Sequence, residues 1–217
     1  LTYDYDKWSF IDPKEAQKKL NLPRNPRDYT SIAVTTDDSN DEIVYASSMG
    51  DGVIQYKNGT PVQSYNEKNA FKETAGGYGS GYCYIDGLAF DKNGNLWMTS
   101  SEVNHAALVL DKAGAWHRLD IEQLRGVYTI NDILITSTND KWIYVPRNTP
   151  KLVMIPNSES LDEVSSYEFT TLIDTDGKEL TPSNYTCVAE DKDGYIWVGT
   201  NRGAVYFTKP RISSAED

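Results

Sequence analysis

The sequence predicts an all-β fold built from repeated four-stranded antiparallel sheets, and three observations support this expectation. An aromatic residue lies within a short apolar stretch four times along the 217 residues, at Tyr45, Trp97, Trp142 and Trp197. These residues are 52, 45 and 55 positions apart, which gives a period near fifty. Each aromatic stretch also has one apolar stretch before it and one or two after it. Four short strands per unit of about 40–50 residues are typical of a β-propeller blade, so we expect about four blades within a larger propeller.

The strands of every unit follow one order. The first strand contains small and β-branched residues and ends at a polar turn, after which come the aromatic strand, a loop, a third strand and usually a fourth. We expect the four aromatic residues to occupy equivalent second-strand positions, packed between neighbouring blades. The predicted first strands are TSIAVT, IDGLAF, INDILIT and TCVAED, the third strands are GVIQY, ALVLD, KLVMI and AVYFT, and the fourth strands are PVQSYN, AWHRLD and SYEFTTL. One propeller segment is expected over residues 1–217, with units at 27–75, 82–124, 128–173 and 183–217.

Two nearly identical turns, DKNG from Asp91 and DKDG from Asp191, precede aromatic strands. Asp and Asn side chains accept local backbone hydrogen bonds in tight turns, and Gly adopts the positive φ that such turns require. We therefore predict hairpin turns between the first and second strands. The alternative, an EF-hand calcium loop, requires a glutamate at its twelfth position and flanking helices. Counted from Asp91 the twelfth residue is Glu102, and counted from Asp191 it is Arg202. Neither turn has flanking helices, because each runs directly into a strand, so we expect no metal there.

The N-terminal residues predict one more strand and a short helix. KWSFID, around Trp8, resembles the fourth-strand pattern of AWHRLD, although no first three strands precede it. Residues 1–12 are therefore expected to supply an outer strand, either to a preceding blade of a larger propeller, which we favour, or beside the last unit to close a four-bladed ring. DPKEAQKKL predicts a helix with Asp12 as N-cap and Pro13 at its first position. GGYGSGY, at residues 76–82, predicts a connection and not a phosphate loop, because no helix pattern follows it.

Composition excludes several classes of function. The net charge is −11 and the 21 basic residues are scattered, which argues against binding of nucleic acid. No apolar run approaches the length of a membrane-spanning helix and the first residues lack a signal-peptide pattern, so we expect no membrane insertion by this segment. Cys83 and Cys187 lack CxxC spacing and a histidine cluster, which disfavours zinc. Two reduced, partly buried thiols are the simpler expectation, and a disulfide between them remains open.

A family resemblance rests on the last unit, CVAEDKDGYIWVGTNRGAVYF. It is similar to the two-component regulator propeller repeat, which has an Asp-x-x-Gly turn, an Ile/Leu-Trp-Val-Gly-Thr strand and a Gly-led third strand. GLAFDKNGNLWMTS also fits this pattern, whereas STNDKW lacks the turn glycine and the first unit has Tyr45 in place of Trp. The order of these segments along the chain also resembles PorZ-like proteins, in which two propellers precede a C-terminal β-sandwich in an envelope protein tied to type IX secretion.

The resemblance implies an exported, periplasmic or cell-surface propeller without cofactor. In regulator proteins such propellers form the sensor ahead of a histidine kinase, and PorZ-like proteins act at the cell surface on attachment of anionic lipopolysaccharide. A ligand-sensing module is thus the leading expectation, and a scaffold or anionic-glycan-binding component with protein partners in the envelope is the alternative. A propeller lyase or hydrolase comes third, because the sequence has only His105 and His117 and no Gly-x-Ser-x-Gly motif. We expect no catalytic residues.

Ligand binding is expected at the loops between second and third strands, which gather on one face of a propeller around its axis. Arg147 and Arg202 would come from adjacent blades, and paired guanidinium groups suit carboxylate or phosphate recognition. The structural alternative is that these arginines offset acidic charge or cap blade turns. Counting five residues beyond each aromatic gives Gly50, Glu102, Arg147 and Arg202, and the flanking Asn104, His105, Asn148 and Asn201 could donate hydrogen bonds to an oligosaccharide.

Overall fold

A computed structural model describes residues 2–4, 7–71 and 81–207 of the chain. Successive antiparallel sheets follow one another along it, which confirms the predicted all-β fold of four-stranded blades. The chain begins with a hairpin of β1 (Thr2–Asp4) and β2 (Lys7–Ser9), followed by α1 (Pro13–Leu20). The side chain of Asp12 accepts from the N–H of Lys14 at 2.9 Å, as predicted for the N-cap of this helix.

Blades 1 to 3 each have four strands in sequence order, and blade 4 has three described strands. The second strand of blade 1 also pairs with the first strand of blade 2, so these two blades form one eight-stranded sheet. A short two-stranded hairpin, which the sequence analysis did not predict, precedes blade 4. Blade 1 comprises β3 (Tyr29–Thr36), β4 (Glu42–Gly50), β5 (Gly52–Lys57) and β6 (Thr60–Tyr65); blade 2 comprises β7 (Cys83–Phe90), β8 (Leu96–Ser100), β9 (Ala107–Leu110) and β10 (Trp116–Leu119); blade 3 comprises β11 (Ile133–Ile135), β12 (Lys141–Val145), β13 (Lys151–Ile155) and β14 (Tyr167–Phe169); the hairpin comprises β15 (Leu172–Ile173) and β16 (Glu179–Leu180); blade 4 comprises β17 (Tyr185–Glu190), β18 (Ile196–Thr200) and β19 (Gly203–Phe207).

The predicted turns are hairpin turns of one geometry. In the turn from Asp91, the N–H of Asp91 donates to the carbonyl of Asn95 at 2.9 Å and the N–H of Gly94 donates to the carbonyl of Asp91 at 3.0 Å. Gly94 has a φ of +84°, the left-handed conformation that favours glycine. The same pair of hydrogen bonds recurs in the turns that begin at Asp37, Asp111, Thr136, Asp174 and Asp191. In the turn from Thr136, Asn139 takes the left-handed position with a φ of +70°.

The four repeated aromatic residues lie at one register position of their sheets. Tyr45, Trp97 and Trp197 each pair with a first-strand alanine, and Trp142 pairs with Leu134. Trp97 and Trp142 are fully buried, in the core clusters that join blade 2 to blade 3 and blade 3 to blade 4. Tyr45 packs half-buried against the cluster shared by blades 1 and 2. Trp197 departs from the expectation, because no described residues form a further blade over it and its side chain is 41% exposed.

Neighbouring blades are also joined by hydrogen bonds from side chains near the inner strands. The hydroxyl of Thr30 donates to the carbonyl of Ile85 at 2.6 Å, which joins blade 1 to blade 2. Thr99 in blade 2 donates to the carbonyl of Asn131 at 2.9 Å, just before blade 3. Tyr144 in blade 3 donates to the carbonyl of Thr186 at 3.2 Å in blade 4. The blades therefore follow one another around a common inner side.

The N-terminal hairpin and the two cysteines bear on expectations that the sequence left open. Within the described residues, β2 pairs only with β1, and the assignment of residues 1–12 to a preceding or a closing blade stays a prediction. Cys83 is buried and Cys187 is exposed, and both are free thiols, so only Cys83 matches the expected burial. Most of the predicted connection at 76–82 lies outside the described residues, as does the chain after residue 207.

Candidate functional site

The loops between second and third strands lie together at one end of the blades. Because neighbouring strands are antiparallel, these loops are opposite the turns that join first and second strands. We call their end the loop face and the opposite end the turn face. The loop face comprises residues 51, 101–106, 146–150 and 201–202.

Backbone hydrogen bonds hold these loops to the connections between blades. The N–H of Glu102 donates to the carbonyl of Val127 at 2.8 Å, just before blade 3. The carbonyl of Pro146 accepts from Tyr185 at 3.1 Å, and the carbonyl of Asn184 accepts from Asn201 at 3.1 Å. The loops of blades 3 and 4 are thus tied to the same connecting segment. Loops fixed in this way present their side chains on a preformed surface.

Arg147 and Arg202 lie on these two neighbouring loops, and both are exposed. Neither guanidinium group has a hydrogen-bond or ion-pair partner among the described residues. Asn148 lies beside Arg147, also exposed, with a φ of +69°. Two guanidinium groups without carboxylate partners on adjacent loops can both donate hydrogen bonds to an external anion.

The remaining predicted residues have different settings. The side-chain oxygen of Asn201 accepts from the N–H groups of Ser183 at 3.0 Å and Asn184 at 3.2 Å, so it fixes the connection before β17. Glu102, Asn104 and His105 belong to the loop of blade 2, where Asn104 is exposed and the other two are half-buried. Glu102 has a φ of +63°. Gly50 is the last residue of β4 and pairs with Cys83 of β7.

Sequence reasoning missed an arginine beside Gly50. Arg24, in the connection before β3, forms an ion pair with Asp51 and donates to the carbonyl of Gly50 at 3.0 Å. Its guanidinium carbon lies 4.5 Å from the ring centre of Tyr82, and a cleft of about 270 Å³ opens beside it. Connections between blades lie on the same face as these loops, so its position after the helix was an available signal.

A buried aspartate on an inner strand was also missed. Burial raises the pKa of Asp86 to about 7, although the hydroxyl of Ser101 donates to its carboxylate at 2.7 Å. Ser101 also accepts from the N–H of Ile130 at 2.8 Å, which joins blade 2 to the start of blade 3. Burial likewise raises the pKa of Asp132. The acidic residue inside the apolar strand IDGLAF was the signal in the sequence.

Among the described residues, no group of three or more His, Cys, Asp and Glu side chains is arranged to hold a metal ion. None of the helices in this part of the chain has the length and apolar character needed to cross a membrane.

One family model matches the chain, and it covers a single repeat. Residues 179–202, which include β17, the turn from Asp191 and β18, match the model described as two component regulator propeller. No curated protein matches the sequence. The chain therefore contains a repeat of this kind, as its last unit predicted.

Solved structures support the propeller fold. The chain is similar to PorZ of Porphyromonas gingivalis, described as an essential bacterial surface component of the type-IX secretion system, with a TM-score of 0.80 and 18% identity. It is also similar to the extracellular domain of a B. thetaiotaomicron protein provisionally named as a one component system, with a TM-score of 0.56 and 17% identity. A Bacteroides uniformis protein, provisionally named as a 6-phosphogluconolactonase, has a TM-score of 0.53 and 9% identity.

The similarity covers only part of each solved structure. It extends over 94% of this chain and 28% of PorZ, and over 84% of this chain and 22% of the extracellular domain. For the Bacteroides uniformis protein the shares are 85% and 51%. At these identities the likeness shows that the chain has a propeller fold.

Proposed function

We propose that this chain is a non-enzymatic propeller module that recognises a ligand at its loop face, outside the cytoplasm, as a sensor region of the two-component regulator kind. The observation that carries the proposal is the exposure of Arg147 and Arg202 on loops tied to one connecting segment. Neither guanidinium group is paired with a carboxylate among the described residues, although the chain has a net charge of −11. Keeping two cations unpaired in so acidic a chain favours a role in binding over charge compensation.

The ligand class that suits this arrangement is an anionic glycan. Guanidinium groups bind carboxylate or phosphate in a bidentate manner, which gives both orientation and affinity. The exposed amide of Asn148, next to Arg147, is suited to hydrogen bonds with sugar hydroxyls. The excess negative charge of the chain opposes anion binding elsewhere, so binding would be confined to the arginine pair.

A second candidate function is that of a scaffold component in a surface assembly. The similarity to PorZ, with a TM-score of 0.80, favours it, because that protein is described as a surface component of a secretion system. A periplasmic or cell-surface location is part of both proposals. In the scaffold case the exposed arginines would contact a protein partner of the envelope.

The surroundings of His117 do not favour catalysis. His117 lies on the outer strand β10, where Asp111 at 3.0 Å and Asp162 at 2.9 Å contact its two ring nitrogens. Hydrogen bonds with Asp162 and Asp111 raise its pKa, which favours the charged form in a surface ion-pair cluster. A charged imidazole held by two carboxylates is poorly suited to act as a general base.

Calorimetric titration of the wild-type chain and of the Arg147→Ala/Arg202→Ala variant tests the proposal. We expect sulfated or uronic acid oligosaccharides to bind the wild type and to bind the variant at least about tenfold more weakly, because each lost charged contact contributes about 1.5–3 kcal/mol. Lys112→Ala/Lys178→Ala is the control, since it removes the same charge from exposed lysines of two hairpin turns outside the loop face. Equal binding by all three proteins would exclude this site. Absence of glycan binding by the wild type would favour the scaffold.

A further inference from the structure

The turn face has a cleft between the first turns of blades 3 and 4. Its volume is about 320 Å³, and both turns contribute to its walls. We call it the turn cleft. The wall residues with polar side chains include Thr136, Ser137, Asp140, Trp142, Glu190 and Lys192.

This cleft lies at the blade in which a repeated hydrogen bond is missing. In blade 2 the indole N–H of Trp97 donates to Asp91 at 2.9 Å, and in blade 4 that of Trp197 donates to Asp191 at 2.7 Å. Blade 3 has Thr136 at the corresponding turn position. Its hydroxyl is bonded to Thr138 at 2.9 Å and accepts from the N–H of Asp140 at 3.0 Å.

As a result the indole N–H of Trp142 has no acceptor among the described residues, although Trp142 is fully buried. Leaving a buried donor unpaired costs about 1–3 kcal/mol, so native proteins rarely do so without a reason. Threonine is shorter than aspartate and lacks the second oxygen that reaches the indole in blades 2 and 4. Thr136 and Trp142 both line the turn cleft.

We propose that the turn cleft binds a neutral sugar, one hydroxyl of which takes the place of the missing aspartate oxygen as acceptor for Trp142. The bound sugar would enter beside Thr136, which must rotate to open the path to the indole. This site is separate from the loop face and does not depend on the function proposed there.

The charges of the walls select for a neutral ligand that both donates and accepts hydrogen bonds. Asp140, Glu190 and Asp193 outnumber the single cation of the walls, Lys192, so an anion would be repelled. A cation would pair with the carboxylates but would offer no acceptor to the indole of Trp142. Sugar hydroxyls donate to carboxylates and accept from the indole N–H with the same group.

The walls of the cleft are already in place. Glu190 accepts from the N–H of Ser137 at 2.6 Å, which ties the turn of blade 3 to blade 4. On the other side, the N–H of Lys92 donates to Asn139 at 2.9 Å and its ammonium group contacts the carbonyl of Ser137. The volume of about 320 Å³ is at the lower end of ligand sites, which suits one or two sugar rings.

The experiment follows the indole N–H signals by ¹⁵N NMR during titration with glucose, galactose, mannose and their disaccharides. The chain has five tryptophans, and Trp142→Phe assigns the signal of interest. We expect one of these sugars to shift the Trp142 signal saturably with a dissociation constant of about 1 mM, a typical weak affinity. The Trp97 signal should stay in place, because its N–H is bonded to Asp91.

Thr136→Asn and Thr136→Asp supply an internal acceptor and fill the cleft. Both should weaken sugar binding at least about tenfold, the loss of roughly 1.4 kcal/mol, and should raise the melting temperature by satisfying the indole. The neutral Asn variant avoids repulsion from Glu190. Thr136→Ser, which is too short to reach the indole, should bind like the wild type.

The proposal is overturned if no sugar shifts the Trp142 signal, or if the Asn variant binds as well as the wild type. Arg147→Ala/Arg202→Ala should not affect this titration.

Discussion

At the residue scale, the buried tryptophans carry much of the contact between blades. Trp97 is 1% exposed, donates to Asp91 and has the ammonium group of Lys141 at 4.6 Å from its ring centre. Trp97→Ala should lower the free energy of unfolding by about 3–5 kcal/mol through the cavity it leaves. Trp197→Ala is the matched control and should cost much less, because its side chain is 41% exposed. Equal losses in chemical denaturation would contradict this account of the packing.

Asp86 makes stability depend on pH near neutrality. Its pKa is about 7 in the folded chain and 3.8 in a solvated reference, because burial disfavours the charge. The protonated form therefore stabilises the fold, and this contribution is complete below about pH 4 and lost as pH rises toward 7. Between pH 5 and 8, the wild type should lose about 2–3 kcal/mol relative to Asp86→Asn. Unfolding free energies would be measured by chemical denaturation at each pH. A difference between the two proteins that stays constant from pH 5 to 8 would show that Asp86 is not buried in this way.

The sequence predicts the exposure of loop residues better than the burial and bonding of single polar residues. The exposed side chains of Arg147 and Arg202 follow from their places in loops of the predicted blades. The burial of Asp86 depends on how blade 2 meets blade 3, which no local pattern encodes. The same holds for Asn201, whose oxygen accepts from two backbone N–H groups of the preceding connection.

At the element scale, blades 2 and 3 meet closely at their first strands. A Cβ atom on Gly87 would lie 2.7 Å from the backbone nitrogen of Ile133 and 2.8 Å from a carboxylate oxygen of Asp132. Gly87→Ala should therefore cost about 1–3 kcal/mol in unfolding free energy, because the two strands must separate. Gly114→Ala offers a comparison, since space is open there but φ is +90°. A Gly87→Ala chain as stable as the wild type would show that the strands are further apart.

Strand patterns predicted the long elements better than the short ones. Periodic apolar residues located the strands of each blade, and the Asp-x-x-Gly pattern located their turns. The hairpin of β15 and β16 escaped prediction because strands of two residues show no periodicity, yet its turn from Asp174 has the geometry of the others. The pattern around Trp8 predicted a strand there but did not identify β1 as the strand that pairs with it.

At the scale of the whole molecule, the described residues leave two apolar blade faces uncovered. Ile32 and Val34 of β3 are 64% and 57% exposed, and Trp197 and Tyr206 of blade 4 are 41% and 53% exposed. Buried blade faces in the same chain are covered by a neighbouring blade, so we propose that further blades of a larger propeller cover these two. The isolated chain should self-associate or scatter as an open arc. A compact monomeric ring in small-angle scattering would instead indicate closure by the chain itself.

Recognition of an anionic glycan by the loop face is the central claim, and NMR of arginine side chains tests it most directly. The Nε–H signals of Arg147 and Arg202, assigned with single Arg→Lys variants, would be followed during titration with a sulfated or uronic acid oligosaccharide. We expect both signals to shift saturably while those of Arg125, which is paired with Asp120, and of the turn-face indoles stay in place. The claim would be contradicted if the oligosaccharide shifted other signals saturably while the Nε–H signals of Arg147 and Arg202 stayed in place.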